Sequence, residues 1–110
     1  MPLSEKVRIE IFIPDPPDAA YRDLLEELGV ELSYAFGGCT EIPASGKYRS
    51  LDGPLFSDEV NILFSDAPLL WEQDRLALGQ YVHWVRRAAQ SALEKEEVVL
   101  VSVYPVWHGE

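Results

Sequence analysis

A chain of 110 residues that is 47% hydrophobic and 25% charged has the composition of one folded domain and not of a disordered segment. Its net charge of −10 excludes nucleic acid and anionic membrane as partners, because both would repel it. One cysteine permits no internal disulfide, and the N-terminal MPLSEKVRIE lacks the apolar stretch of a secretion signal, so a cytoplasmic protein without a membrane span is expected.

Residues 7–13 alternate strictly. Val7, Ile9, Ile11 and Ile13 share one face and Arg8, Glu10 and Phe12 the other, the pattern of a half-buried strand. Pro14-Asp15-Pro16-Pro17 stops it, since proline brings no donor to a ladder and disfavours helix in its predecessor. Asp18 offers a side-chain oxygen to the open amides of a helix start. On a helical wheel Tyr21, Leu24, Leu25, Leu28, Leu32, Ala35 and Phe36 fall into one stripe, so the helix runs through Gly29 to Phe36. Gly37 then forms the left-handed cap, with Gly38 beside it in the turn.

Thr40 to Ser50 reads as a second strand, interrupted around Pro43-Ala44-Ser45-Gly46 and followed by a tight turn at Asp52-Gly53. Phe56 to Phe64 is the third strand. It sets Phe56, Val60, Ile62 and Phe64 against Ser57, Glu59, Asn61 and Leu63. Val60, Ile62 and Phe64 are placed with the isoleucines of the first strand, on the face that helices cover. Asp66-Ala67-Pro68 leads into a second helix from about Glu72 to Lys95, whose apolar face is Leu78, Tyr81, Val82, Val85, Ala89, Ala92 and Leu93. Glu96 to Val106 is the last strand, with Val99, Val101 and Val103 opposite Leu100, Ser102 and Tyr104, and Trp107 anchors the short tail.

The order is β-α-β-β-α-β. With right-handed crossovers it predicts an α+β, ferredoxin-like two-layer sandwich over residues 1–110, a single domain whose four-stranded antiparallel sheet carries both helices on one face. The other face is then uncovered. Its expected ligand or interface residues are Arg8, Glu10, Phe12, Glu59, Asn61 and Leu63 on the two central strands, with Tyr104 from the last.

Other chemistry finds little support. His83 lies on the polar side of its helix, His108 is remote from it in sequence, and with one cysteine they make no metal site. Cys39 has no adjacent lysine or histidine to favour its thiolate. Gly37-Gly38 follows a helix, whereas a phosphate loop precedes one. Asp58 and Glu59, adjacent in a strand, point to opposite faces and cannot share a substrate. The RNA-binding use of this element order requires aromatic residues on the central strands in a basic surround, and Glu59 and Asn61 stand there instead.

The run Gly38-x-Thr40, Gly46-x-Tyr48, Asp52-Gly53 and Glu59 resembles the central hairpin of small uncharacterised bacterial proteins, in which tryptophan is commoner at the Tyr48 position. The resemblance implies a ferredoxin-like fold and brings no activity. The expected function is a binding or interaction module without a cofactor that self-associates, as a homodimer, through its open sheet face and takes a protein or small-molecule partner. The alternatives are a small enzyme of the dimeric α+β-barrel kind, with its site between facing sheets, and an acidic inhibitor that mimics nucleic acid.

Overall fold

The first strand lies inside the sheet, paired along both of its edges. The computed structural model describes residues 2–93 and 99–110 of the chain. Along it run β1 (Leu3–Pro14), α1 (Ala19–Phe36), β2 (Thr40–Arg49), β3 (Leu55–Ala67), α2 (Trp71–Leu93) and β4 (Leu100–Gly109). The strands form one antiparallel sheet in the order β2-β3-β1-β4. Val7, Ile9, Ile11 and Ile13 of β1 are fully buried under Tyr21, Leu24, Leu28 and Leu32 of α1 and Leu78, Val85, Ala89 and Leu93 of α2, so both helices cover the same face. The ferredoxin-like expectation therefore holds. None of the helices among the described residues is long and apolar enough to cross a membrane.

The ends of the helices follow from local chemistry. The Asp18 carboxylate accepts from the Ala20 amide at 3.0 Å, and the helix closes on Gly37 at φ 89°, where the Gly37 amide donates to the Ser33 carbonyl. At the start of α2, Glu5 from β1 accepts from the Trp71 amide at 3.0 Å and Asp74 accepts from the Leu70 amide at 2.9 Å. These two carboxylates occupy amides that have no partner within the helix. The expected end of α2 at Lys95 and start of the last strand at Glu96 lie outside the described residues.

The third strand departs from expectation. Register pairs Val7 with Ala67, Ile9 with Ser65, Ile11 with Leu63 and Ile13 with Asn61, and directly paired residues of an antiparallel ladder share a face. Asn61, Leu63, Ser65 and Ala67 are thus the buried set beneath the helices, and Val60, Ile62 and Phe64 lie half-buried on the open side. The period of two is as expected and its phase is reversed. The buried set mixes the larger Asn61 and Leu63 with the small Ser65 and Ala67. The Ser65 hydroxyl also donates to the Gly38 carbonyl, tying the turn after α1 to the sheet.

Three further boundaries differ. Strand β2 continues without interruption through Pro43 and Gly46, and β3 runs on to Ala67, so Asp66 is a strand residue and not the approach to a helix. Strand β4 takes in Pro105, Trp107 and His108; Trp107, expected as an anchor, is 55% exposed opposite Glu5. The connection between β2 and β3 is a loop in which the Gly53 amide donates to the Ser50 carbonyl, with Gly53 at φ 147°.

Pairing of β1 with β3 ends at Pro14 and Val60, while β2 and β3 stay paired out to Arg49 and Leu55. The outer part of this hairpin is therefore a two-stranded arm, and the molecule as a whole measures 48 × 28 × 23 Å.

The reversed phase has a direct test. Leu63→Ala should lower unfolding free energy by about 2–5 kcal/mol, whereas Ile62→Ala should cost less than about 2 kcal/mol. Denaturant unfolding of both variants reads the difference, and a larger loss for Ile62→Ala would restore the opposite phase.

Candidate functional site: the open sheet face

The face away from the helices is built in rows by the register. Asp66, Arg8 and Tyr104 lie side by side across β3, β1 and β4. The next row is Phe64, Glu10 and Ser102, and the one after is Ile42, Ile62, Phe12 and Leu100. Ala44, Val60 and Pro14 complete the face toward the hairpin arm. One end is polar and the other apolar.

The polar end is held by one carboxylate. Arg8 Nε and Nη2 donate to Asp66 Oδ1 and Oδ2 at 2.7 and 2.8 Å, a two-point fork, and His108 Nε2 lies 2.8 Å from Oδ2. The Arg8 guanidinium also sits over the Phe64 ring, its Cζ 4.3 Å from the centroid. The hydroxyl of Tyr104 donates to Glu10 Oε1. The fork from Arg8, with the contact from His108, holds the Asp66 carboxyl below the usual carboxylate range despite partial burial. Arg8 is correspondingly raised by its bond to Asp66, and Tyr104 is raised, first by its bond to Glu10.

Of the residues expected here, Arg8, Glu10, Phe12 and Tyr104 are together on the open face. Asn61 and Leu63 are not: the reversed phase of β3 buries them under the helices. Glu59 shares their phase but lies beyond the helices, exposed beside the arm, where its carbonyl accepts from the Asp15 amide at 2.9 Å. Sequence patterning misses Asp66 and His108. It leaves both in connecting segments, although the alternation of β3 continues from Phe64 to Asp66 and that of β4 from Tyr104 through Val106 to His108.

Gly37 and Gly53 lie in turns, whereas Gly46, expected in one, lies within β2, and their tasks are separable. Gly37 takes the left-handed cap and Gly53 an extended positive φ, whereas Gly46 is needed for space. A Cβ at Gly46 would stand 2.5 Å from the Tyr48 hydroxyl and 2.8 Å from its ring. Tyr48 therefore folds back over Gly46, with the Phe56 ring 5.7 Å away on the paired strand. Cys39 is part-buried at the foot of β2; burial, and secondarily the Glu41 charge, push its thiol up. His83 is exposed on α2, as expected. Among the described residues no group of three or more His, Cys, Asp or Glu could hold a metal ion.

No protein-family model and no curated protein sequence matches the chain. One similar solved structure is that of CPII bound to ADP, AMP and acetate, from Thiomonas intermedia K12. It superposes with a TM-score of 0.50 at 16% identity, over 100% of this chain and 94% of the other. At that identity the likeness concerns the fold alone, and it agrees with the ferredoxin-like arrangement described above.

Two outcomes follow from these geometries. Asp66→Asn should reduce stability at pH 7 by about 1–3 kcal/mol, the cost of unmaking charge-assisted hydrogen bonds. Because the folded-state pKa of Asp66 is depressed, its contribution is present above the unfolded value of about 3.9 and is lost as pH falls through the folded value. Denaturant unfolding of both proteins from pH 7 down to pH 2 should show the gap closing below about pH 4. For Cys39, a raised pKa means that a thiol reagent at pH 7.5 should label the native protein more slowly than the urea-unfolded chain.

Proposed function

We propose that this protein is a small cytoplasmic interaction module that self-associates, as a homodimer, through its open sheet face. The observation that carries the reading is a mismatch of charge. The chain carries −10 overall, yet on the four-stranded part of this face the cations Lys6 and Arg8 are balanced by the carboxylates Glu10 and Asp66. A neutral patch is where two copies of a strongly acidic chain can approach.

The chemistry of the patch supports the same reading. Burying a charge is costly unless it is already paired, and Asp66, Arg8 and Glu10 have partners before any second copy arrives. Beside them Ile42, Ile62, Phe64, Phe12 and Leu100 form an apolar stretch on the side of the sheet away from both helices. An apolar centre beside satisfied polar groups is the anatomy of a protein interface. CPII, solved with ADP, AMP and acetate bound, is a precedent for small-ligand binding on the same fold, so an effector held at or near the paired faces fits this reading.

Sedimentation or light scattering across a concentration series tests it. Ile42→Glu places a new charge on the face at a site already 43% exposed, so the monomer should keep its stability while association weakens at least tenfold. A tenfold loss corresponds to about 1.4 kcal/mol. A wild-type protein that stays monomeric at several hundred micromolar would overturn the reading.

A further inference from the structure

The apolar end of the open face is not flat. Register sets a row of smaller side chains, Ala44, Val60 and Pro14, between a row of larger ones, Ile62, Phe12 and Leu100, and the folded-back ring of Tyr48. The result is a hollow of about 380 Å³ with these residues as its floor and walls. We infer that this hollow is a binding site for a small, uncharged aromatic molecule.

Size, charge and shape each contribute. The volume falls within the range of about 300–1,000 Å³ typical of ligand pockets, and an apolar cavity of about 150 Å³ already accepts benzene, so a molecule of two or three rings suits this one. The chain has 19 acidic and 9 basic residues, yet among the described residues no charged side chain lines the hollow. A charged ligand would lose its hydration there and gain no counter-charge, which selects a neutral one. The Phe12 and Tyr48 rings and the flat Pro14 favour a planar aromatic partner, which stacks or meets rings edge to face.

The wall at Tyr48 depends on Gly46. With any side chain at 46 the ring could not keep its position, because the added Cβ would come within 3 Å of two of its carbons and of the Tyr48 hydroxyl. Phe56 holds the ring from the paired strand. The Gly46-x-Tyr48 pair of the central hairpin thus closes one end of a pocket. The site exists within a single chain and does not require the pairing of copies proposed above.

The test uses N-phenyl-1-naphthylamine, an uncharged fluorophore that brightens in apolar surroundings, titrated against the full chain, with particle mass measured by light scattering on the same samples. The expected result is saturable binding of one fluorophore per chain, with amide shifts in a two-dimensional NMR spectrum centred on Phe12, Val60, Ile62 and Leu100. Ile62→Trp, which fills the hollow, and Gly46→Ala, which displaces the Tyr48 ring, should each weaken binding at least tenfold. Tyr34→Ser removes an aromatic ring that is 88% exposed on the outer side of α1 and should leave binding unchanged. The inference is overturned by absence of saturable binding, by shifts centred elsewhere, or by Ile62→Trp binding as tightly as wild type. The scattering data report on the pairing of copies separately, so either idea can fail alone.

Discussion

The structure depends on the contact between the inner face of β1 and the helix layer. Four consecutive inward positions, Val7, Ile9, Ile11 and Ile13, are completely shielded from water, and both helices and both neighbouring strands take their places from them. Burying a side chain of this size contributes about 1.5–3 kcal/mol, so the four together outweigh any single polar interaction described above. Because side chains alternate along a strand, fixing one face of β1 also fixes the other. Arg8, Glu10 and Phe12 are outward because the aliphatic set is inward.

Much of this is legible in the sequence. The alternation of β1, the Asp18 cap and the Gly37 terminus are local signals that the structure has in their expected places, and the α1 stripe is buried at Tyr21, Leu24, Leu28 and Leu32, while Ala35, expected in it, is exposed. The phase of β3 is a different kind of information. Both of its faces carry bulky apolar residues, Leu63 on one side and Val60, Ile62 and Phe64 on the other, so hydrophobicity alone favours the heavier set for the core. The register with β1 decides otherwise, and that pairing joins residues distant in sequence.

The same gap explains the site. Arg8, Glu10, Phe12 and Tyr104 are legible because their strands have one aliphatic face that cannot be mistaken. Asp66 and His108 are not, since β3 continues to Ala67, directly before Pro68, and β4 runs on through Pro105 into a tail-like composition that would ordinarily end a strand. Asp66 is 58 residues from Arg8, and only the register of the central pair brings the two together. The hollow beside Tyr48 is hidden for a similar reason: it comes from the size of side chains on neighbouring strands and not from any motif in one.

The two outer strands each contain a proline, Pro43 in β2 and Pro105 in β4. A proline has no amide hydrogen, so neither border of the sheet offers an unbroken row of donors to an approaching strand. Growth of the sheet sideways into a fibril is thereby discouraged at both margins. A molecule built this way can expose a broad apolar surface with less hazard, because the stacking of sheets is left open while their lateral extension is blocked.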